Sequence, residues 1–214
     1  MASAGRRPCQ DRLMEVPDAQ RWNINIHFHD LVVRAVSGAA DVLDIGCGEG
    51  MLARRLRCEA DAVTGIDLDA ASIELAKAQS PGGEIDYLRA DFLTHPFEPE
   101  SFDGIVSVAT LHHMDPERGL NRIKELLRPG GTAAVIGFAR NEFPADLPRV
   151  PAAVLAYAWH VVPKKQWRHP SPIVWPPPDT YRTMRKLTER VLPGARFRQH
   201  LLPRYSIVWT KPST

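Results

Sequence analysis

Three glycines at alternate positions, set between a short apolar run and a helical pattern, constrain the fold of this chain more than any other feature. The string is Asp44-Ile45-Gly46-Cys47-Gly48-Glu49-Gly50. Residues 41–45 read as a buried strand, and residues 50–57 as a helix with Leu52, Ala53 and Leu56 on one face. Glycines at the join let the backbone turn sharply and let a ligand approach it closely. A glycine-rich loop at a helix N-terminus is often a phosphate cradle. Two features point elsewhere. The spacing is G-x-G-x-G rather than G-x-G-x-x-G, and the Asp44 carboxylate would repel a pyrophosphate. A carboxylate there suits a ligand carrying a positive charge, such as an ammonium group.

The surrounding pattern extends this unit into an α/β domain. Strands are predicted at 41–45, 62–66, 85–88, 104–108 and 132–138. Helices are predicted at 50–57, at 70–78 capped by Asp69, and at 117–127 opened by Pro116. Near-continuous apolar strands alternating with helices imply a parallel sheet covered on both faces. The rhythm breaks where nine of the 19 prolines fall between Pro144 and Pro178, with one possible helix at 152–162. A last helix at 179–192 precedes strands at 196–202 and 205–210, joined at Pro203-Arg204 as an antiparallel hairpin. The 214 residues suit one domain, 1–214. It divides into an N-terminal cap (1–39), a core (40–138), a proline-rich insert (139–178) and a closing helix and hairpin (179–214).

Composition excludes several classes. The N-terminal stretch has no apolar run of the kind a secretory signal carries, and the longest apolar stretch, 150–162, is too short to span a bilayer. Cys9, Cys47 and Cys58 show neither metal spacing nor a paired framework, so a cytoplasmic location is expected. Charge is uneven: residues 139–214 hold thirteen Lys and Arg against Glu142, Asp146, Asp179 and Glu189. Such a bias suits a solvated helix face, or attraction of an anionic partner.

Acids recur at the strand ends. Asp67 ends the second strand, where a carboxylate can accept both hydroxyls of a ribose. Asp91-Phe92 follows the third, where an acid beside an aromatic can take an adenine amino group and pack on its ring. Taken singly, Asp67 and Asp69 can be helix caps and Phe92 can be core. Taken with Asp44, the acids sit at the carboxyl ends of consecutive strands, where open α/β sheets bind ligands.

In these residues the chain resembles the class I S-adenosylmethionine-dependent methyltransferases. Residues 42–50 are similar to that family's first motif, Thr64-Gly65-Ile66-Asp67 to its second, and Asp91-Phe92 with Ser101-Phe102-Asp103 to its third and the lead into strand four. Leu111-His112-His113-Met114 and Leu126-Leu127-Arg128-Pro129-Gly130-Gly131 resemble the ubiquinone and menaquinone biosynthesis branch. The resemblance implies a Rossmann-like three-layer sandwich, with a seven-stranded, mostly parallel sheet and an antiparallel last strand. It implies S-adenosyl-L-methionine as cofactor, S-adenosyl-L-homocysteine as product, and no metal. It places Asp44, Gly46 and Cys47 at the methionine end, Gly48 at the sugar, and Asp67 on the ribose. Leu68 would lie against adenine, Asp91 and Phe92 on its edge, and Val108 along the methionine arm.

The reaction so implied is an in-line displacement at the sulfonium methyl. An oxygen nucleophile would gain from a base, and His112 and His113 stand where one is needed. The segment 21–29 alternates polar and large apolar residues. Trp22, Asn23, Asn25, His27 and His29 are candidates for a cap over the acceptor, or for an amphipathic cover on the sheet edge. His27 and His29 have no third ligand at a supporting spacing, which disfavours a metal. The insert offers Tyr157 and Trp159, with Phe143, Trp167 and Trp175, to an apolar pocket or to a small core of its own. Lys164, Lys165, Arg168 and His169 can meet an anionic group or a membrane surface. The expected acceptor is a small, partly apolar metabolite, methylated at oxygen. The alternatives are an RNA or protein methyltransferase, for which only the basic C-terminal third speaks, and a cofactor-binding interaction protein without methyl transfer. A nicotinamide dehydrogenase is disfavoured by the loop spacing and Asp44.

Overall fold

The computed structural model describes residues 17–144, 146–162, 164, 166, 167 and 177–213. Seven strands form one sheet: β1 (Asp41–Ile45), β2 (Ala62–Asp67), β3 (Ile85–Arg89), β4 (Phe102–Val108), β5 (Leu127–Gly137), β6 (Arg196–Gln199) and β7 (Tyr205–Thr210). Their order is β3-β2-β1-β4-β5-β7-β6. β1 to β5 pair in parallel, while β7 runs antiparallel to both β5 and β6. The order reverses between β1 and β4, so their carboxyl ends open a crevice at the glycine loop.

The helices are α1 (Ile24–His27), α2 (His29–Ala35), α3 (Met51–Arg57), α4 (Ala70–Gln79), α5 (Pro116–Leu126), α6 (Val150–His160) and α7 (Tyr181–Val191). The sequence places their ends. The Asp69 and Asp115 side chains accept the backbone N–H groups of Ser72 and Arg118, and Thr180 forms a capping box with Thr183.

Two cores lie on opposite faces of the sheet. On one, Leu120, Ile123 and Leu126 of α5 and Met184 and Val191 of α7 pack on Leu43, Ile105, Val135 and Ile207. On the other, Val32 and Val33 of α2, Leu52 and Leu56 of α3 and Ile73 of α4 pack on Val42, Val63, Val106 and Ile136. The expected three-layer sandwich is therefore present. Leu120 and Ile105 are fully buried, and truncating either to alanine should cost about 2–5 kcal/mol.

In the N-terminal segment Asn23 caps α1 by accepting the Ile26 N–H at 2.9 Å, and α2 follows at once. Two expectations need correction. β5 begins at Leu127, directly where α5 ends, rather than at 132, and Gly130 N–H reaches the Lys211 carbonyl at 2.9 Å. β6 stops at Gln199 instead of 202, because Pro203 cannot donate to a ladder; His200 N–H instead bonds the Arg204 carbonyl at 2.9 Å. No helix among the described residues is long and apolar enough to cross a membrane.

Candidate active site

The glycine loop is held by β2. Gly46 and Cys47 both donate to the Ile66 carbonyl, at 2.8 and 3.1 Å. Gly46 and Gly50 have positive φ, and a Cβ would overlap the Thr110 side chain at the first and the Tyr87 hydroxyl at the second. Glycine is thus required at both for backbone and for space. Asp44 sits beneath the loop, 1 % exposed, and its Oδ2 has no hydrogen-bond partner. Burial and the nearby Asp67 push its carboxyl up to about 7, against the Ala53 N–H. A buried, unbonded carboxyl oxygen is what a cationic group needs for a partner.

Asp67, at the end of β2, is oriented by two backbone donors: Gly48 N–H to Oδ2 and Asp69 N–H to Oδ1, both at 2.9 Å. Each oxygen keeps a lone pair. Beside it Leu68 is 67 % exposed, an apolar side chain open at the crevice. Asp91 uses Oδ1 to accept the Leu93 N–H at 2.9 Å. The Phe92 ring, 4 % exposed, packs in the core, so a direct ring contact with adenine is not available. The Cys47 thiol is buried and pushed up chiefly by burial, which makes it a wall and not a nucleophile. Val108 ends β4. The next residue, Ala109, adopts φ 57° and donates to the Ile136 carbonyl at 2.8 Å, while Thr110 Oγ1 bonds the Val108 carbonyl at 3.3 Å.

His112 and His113 follow in a short 3-10 turn, Leu111–His113, with ring centroids 4.2 Å apart. Their surroundings differ. His112 lies edge-on to Phe138 and its buried Nδ1 has no partner. Burial, then the charges of His113 and Arg204, pull it down to about 4, so it is neutral at pH 7. His113 is lowered by burial and raised by the nearby Asp67.

The N-terminal segment reaches the glycine loop. Arg21 Nη1 bonds both oxygens of Glu49, at 2.8 and 3.0 Å, and Glu49 is 1 % exposed. Arg54 donates to the Glu49 carbonyl at 2.7 Å and to Asp18 at 2.8 Å. The same segment meets the insert: Trp167 N–H bonds the Trp22 carbonyl at 2.8 Å, and Asn23 Nδ2 donates to the Trp167 carbonyl at 3.3 Å. Arg21 lies 4.7 Å from the Trp167 ring centre, and Lys164 4.5 Å from that of Trp22. Sequence reasoning missed Arg21 and Glu49, although Glu49 stands inside the glycine string.

The remaining cap candidates separate. Asn25 Oδ1 accepts twice from Arg204, at 3.0 and 2.7 Å. His27 stacks loosely with Trp22, Phe28 and His160. His29 does not join them: it is buried beside Arg55 and Asp30, and burial pulls it down to about 3. A cavity of about 380 Å³ opens between α6 and residues 199–203, lined by Val150, Val154 and Tyr157 with Tyr181, Leu201 and Pro203. It touches none of the glycine-loop residues, and neither His112 nor His113. Trp159, 80 % exposed, does not line it, nor does Phe143. Trp175, Lys165, Arg168 and His169 lie outside the described residues. Among the described residues no cluster of His, Cys, Asp and Glu could hold a metal.

This geometry has known counterparts. Residues 43–135 match the family model described as a methyltransferase domain. A protein named as an uncharacterized methyltransferase of Mycobacterium tuberculosis is 37 % identical over 195 residues, covering 90 % of this chain and 98 % of that one. Over a shorter stretch, 104 residues, the ubiquinone biosynthesis O-methyltransferase of Vibrio atlanticus is 33 % identical, covering 47 % of this chain and 44 % of that protein. Two solved structures share the fold. A putative methyltransferase from Haloferax volcanii, in complex with its Trm112 activator, has a TM-score of 0.60 at 17 % identity over 87 % of this chain and 90 % of that one. Human N-acetylserotonin methyltransferase bound to S-adenosylmethionine has 0.57 at 21 %, over 87 % of this chain and 52 % of that one. The chain belongs to the class I methyltransferases. Within that class it is an S-adenosylmethionine-dependent enzyme, and the buried free oxygen of Asp44, the oriented Asp67 and the open Leu68 fit that cofactor.

Proposed function

We propose that this enzyme methylates an oxygen atom of a small, partly apolar metabolite. The observation that carries the reading is the mostly apolar cavity between α6 and residues 199–203, whose volume suits a metabolite and not a polymer. Relatives named as O-methyltransferases from Aspergillus nomiae and Penicillium expansum, 37 % and 34 % identical over about half of this chain, support oxygen as the target.

The cofactor supplies a methyl group already activated on a sulfonium. The protein therefore has to bind, align and keep water out. In this reading Asp44 holds the cofactor's ammonium, Asp67 its ribose hydroxyls and Asp91 the adenine amino group. Leu68 covers the base, and the Phe92 backbone, not its ring, meets the adenine edge. Cys47 and Val108 wall the methionine arm. His112, neutral and with Nδ1 unbonded, orients the acceptor hydroxyl and takes its proton. His113, beside Asp67, supports the cofactor side. Asn25, His27 and Trp22 close the acceptor side, and Tyr157 lines its apolar end.

The test uses methyl-labelled cofactor with phenols, carboxylic acids, amines and total RNA as acceptors. Label in a small oxygen acceptor is expected. His112→Gln should then lower kcat by roughly 10²–10⁴-fold without weakening S-adenosylhomocysteine binding. Full activity in His112→Gln and His112→Ala would remove the base. Label confined to RNA would move the assignment to a nucleic-acid substrate.

A further inference from the structure

Arg204 stands in the turn between β6 and β7, partly buried, in a setting that does not match its charge. Its guanidinium lies 4.8 Å from the Phe138 ring centre. Nε and Nη2 both donate to the single amide oxygen of Asn25, and Nη1 donates to the Pro203 carbonyl at 2.7 Å. These acceptors are neutral, and no ion pair joins Arg204 to a carboxylate among the described residues. Three of the five guanidinium N–H groups are used, which leaves two. Other arginines here behave differently: Arg21, Arg54, Arg128 and Arg190 each meet an acid. The neighbours of Arg204 are site residues. His112 shares Phe138 with it, and Tyr181 and Pro203 line the apolar cavity.

We infer that Arg204 is the specificity-determining residue of the acceptor site, its guanidinium binding a carboxylate carried by the methyl acceptor while the cavity takes the apolar remainder. The inference rests on the small-metabolite reading above. A planar fork, braced by Asn25 and stacked on Phe138, fits a carboxylate better than a spherical charge. Burial pulls the guanidinium down to about 10, a cost that an incoming anion would reverse. The same anion would cancel the push of Arg204 on His112. That push is the smallest of the three causes that lower the imidazole, burial being the first, so His112 would rise only slightly.

The experiment titrates octanoate, octanamide and octyl phosphate into the intact protein by calorimetry, with S-adenosylhomocysteine titrated separately. Wild type should bind octanoate at least about tenfold more tightly than octanamide. Arg204→Gln should abolish that difference and leave S-adenosylhomocysteine affinity unchanged, and Arg204→Lys should keep part of it. The His112 imidazole, followed by NMR, should titrate at slightly higher pH once octanoate is bound. Equal binding of octanoate and octanamide to wild type, no octanoate binding below about 10 mM, or a difference that survives Arg204→Gln would overturn the inference. So would a loss of S-adenosylhomocysteine affinity in Arg204→Gln, which would mark Arg204 as a strut for Asn25. Tighter binding of octyl phosphate than of octanoate would overturn the carboxylate in favour of a phosphate. If Arg204→Gln does not fold, wild type and Arg204→Lys decide by the same comparison. Failure of the small-metabolite reading shows separately, as transfer of labelled methyl confined to RNA.

Discussion

Asp44 gains nothing from ionising until a cation reaches it, because its Oδ2 is unbonded and burial raises it to about 7. A carboxyl whose native pKa lies above its unfolded value of 3.8 binds protons more readily when folded. Its ionisation therefore weakens the fold as pH rises from about 4 to 7, and the full penalty holds above that. Asp44→Asn should leave stability unchanged near pH 4 and raise it near pH 8, by about 4 kcal/mol at most, read from urea unfolding at both values. The same variant should lose S-adenosylmethionine affinity by roughly tenfold or more, by calorimetry. Stabilisation together with lost binding would mark the residue as functional; a stability change of the opposite sign would show that Asp44 is paired in the unliganded protein. Gly46 offers a second residue-scale test. Its φ of 70° and the Thr110 side chain leave no room for a Cβ. Gly46→Ala should destabilise by about 1–3 kcal/mol, and Gly46→Ala with Thr110→Ala, which removes the nearest overlapping atom, should recover part of this. Equal thermal midpoints for Gly46→Ala and wild type would contradict that geometry.

The Arg21–Glu49 pair joins two elements, the segment before α1 and the glycine loop before α3. A carboxylate this buried is costly without its partner. Arg21→Ala should cost about 1–3 kcal/mol, since Arg54 Nη2 still lies 3.8 Å from the Glu49 carboxylate, and Arg21→Lys should recover part of it. S-adenosylhomocysteine binding should weaken in the alanine variant, because the loop loses its brace; unchanged binding would detach the segment from the site. At this scale the sequence was legible where periodicity and local chemistry agree. Strands β1 to β5 read as apolar runs, and the cap Asp69 and the opening Pro116 mark helix starts by local hydrogen bonding or fixed φ. The site was legible where its residues lie at strand ends in sequence order: Asp44, Asp67 and Asp91. It was not legible where contacts span most of the chain. Asn25 meets Arg204 across 179 residues, and Asn23 meets Trp167 across 144. Neither has a spacing to read. His29 shares the spacing of the cap candidates, but on α2 its position turns inward and is buried.

At the scale of the molecule, the basic C-terminal third and the acidic remainder face each other. Arg190 grips Glu117 of α5 through two bonds of 2.6 and 2.8 Å, and Lys211 reaches Glu100 at 2.9 Å. These pairs tie the closing helix and strand to the core across 73 and 111 residues. Part of the basic excess is thus spent within the fold, while Arg182 meets Glu142 inside the C-terminal third itself. Such pairs are each worth ~0–1 kcal/mol. A polymeric anion needs a continuous stripe, and binding through several phosphates loses about 10³–10⁵ in affinity between 50 and 200 mM salt. Turnover of a small acceptor through one buried guanidinium should instead change by less than about threefold over that range, because a partly buried contact is poorly screened. Initial rates across a salt series test this. A flat profile favours the metabolite, and a steep fall would return the basic surface to the site and nucleic acid to the list of substrates.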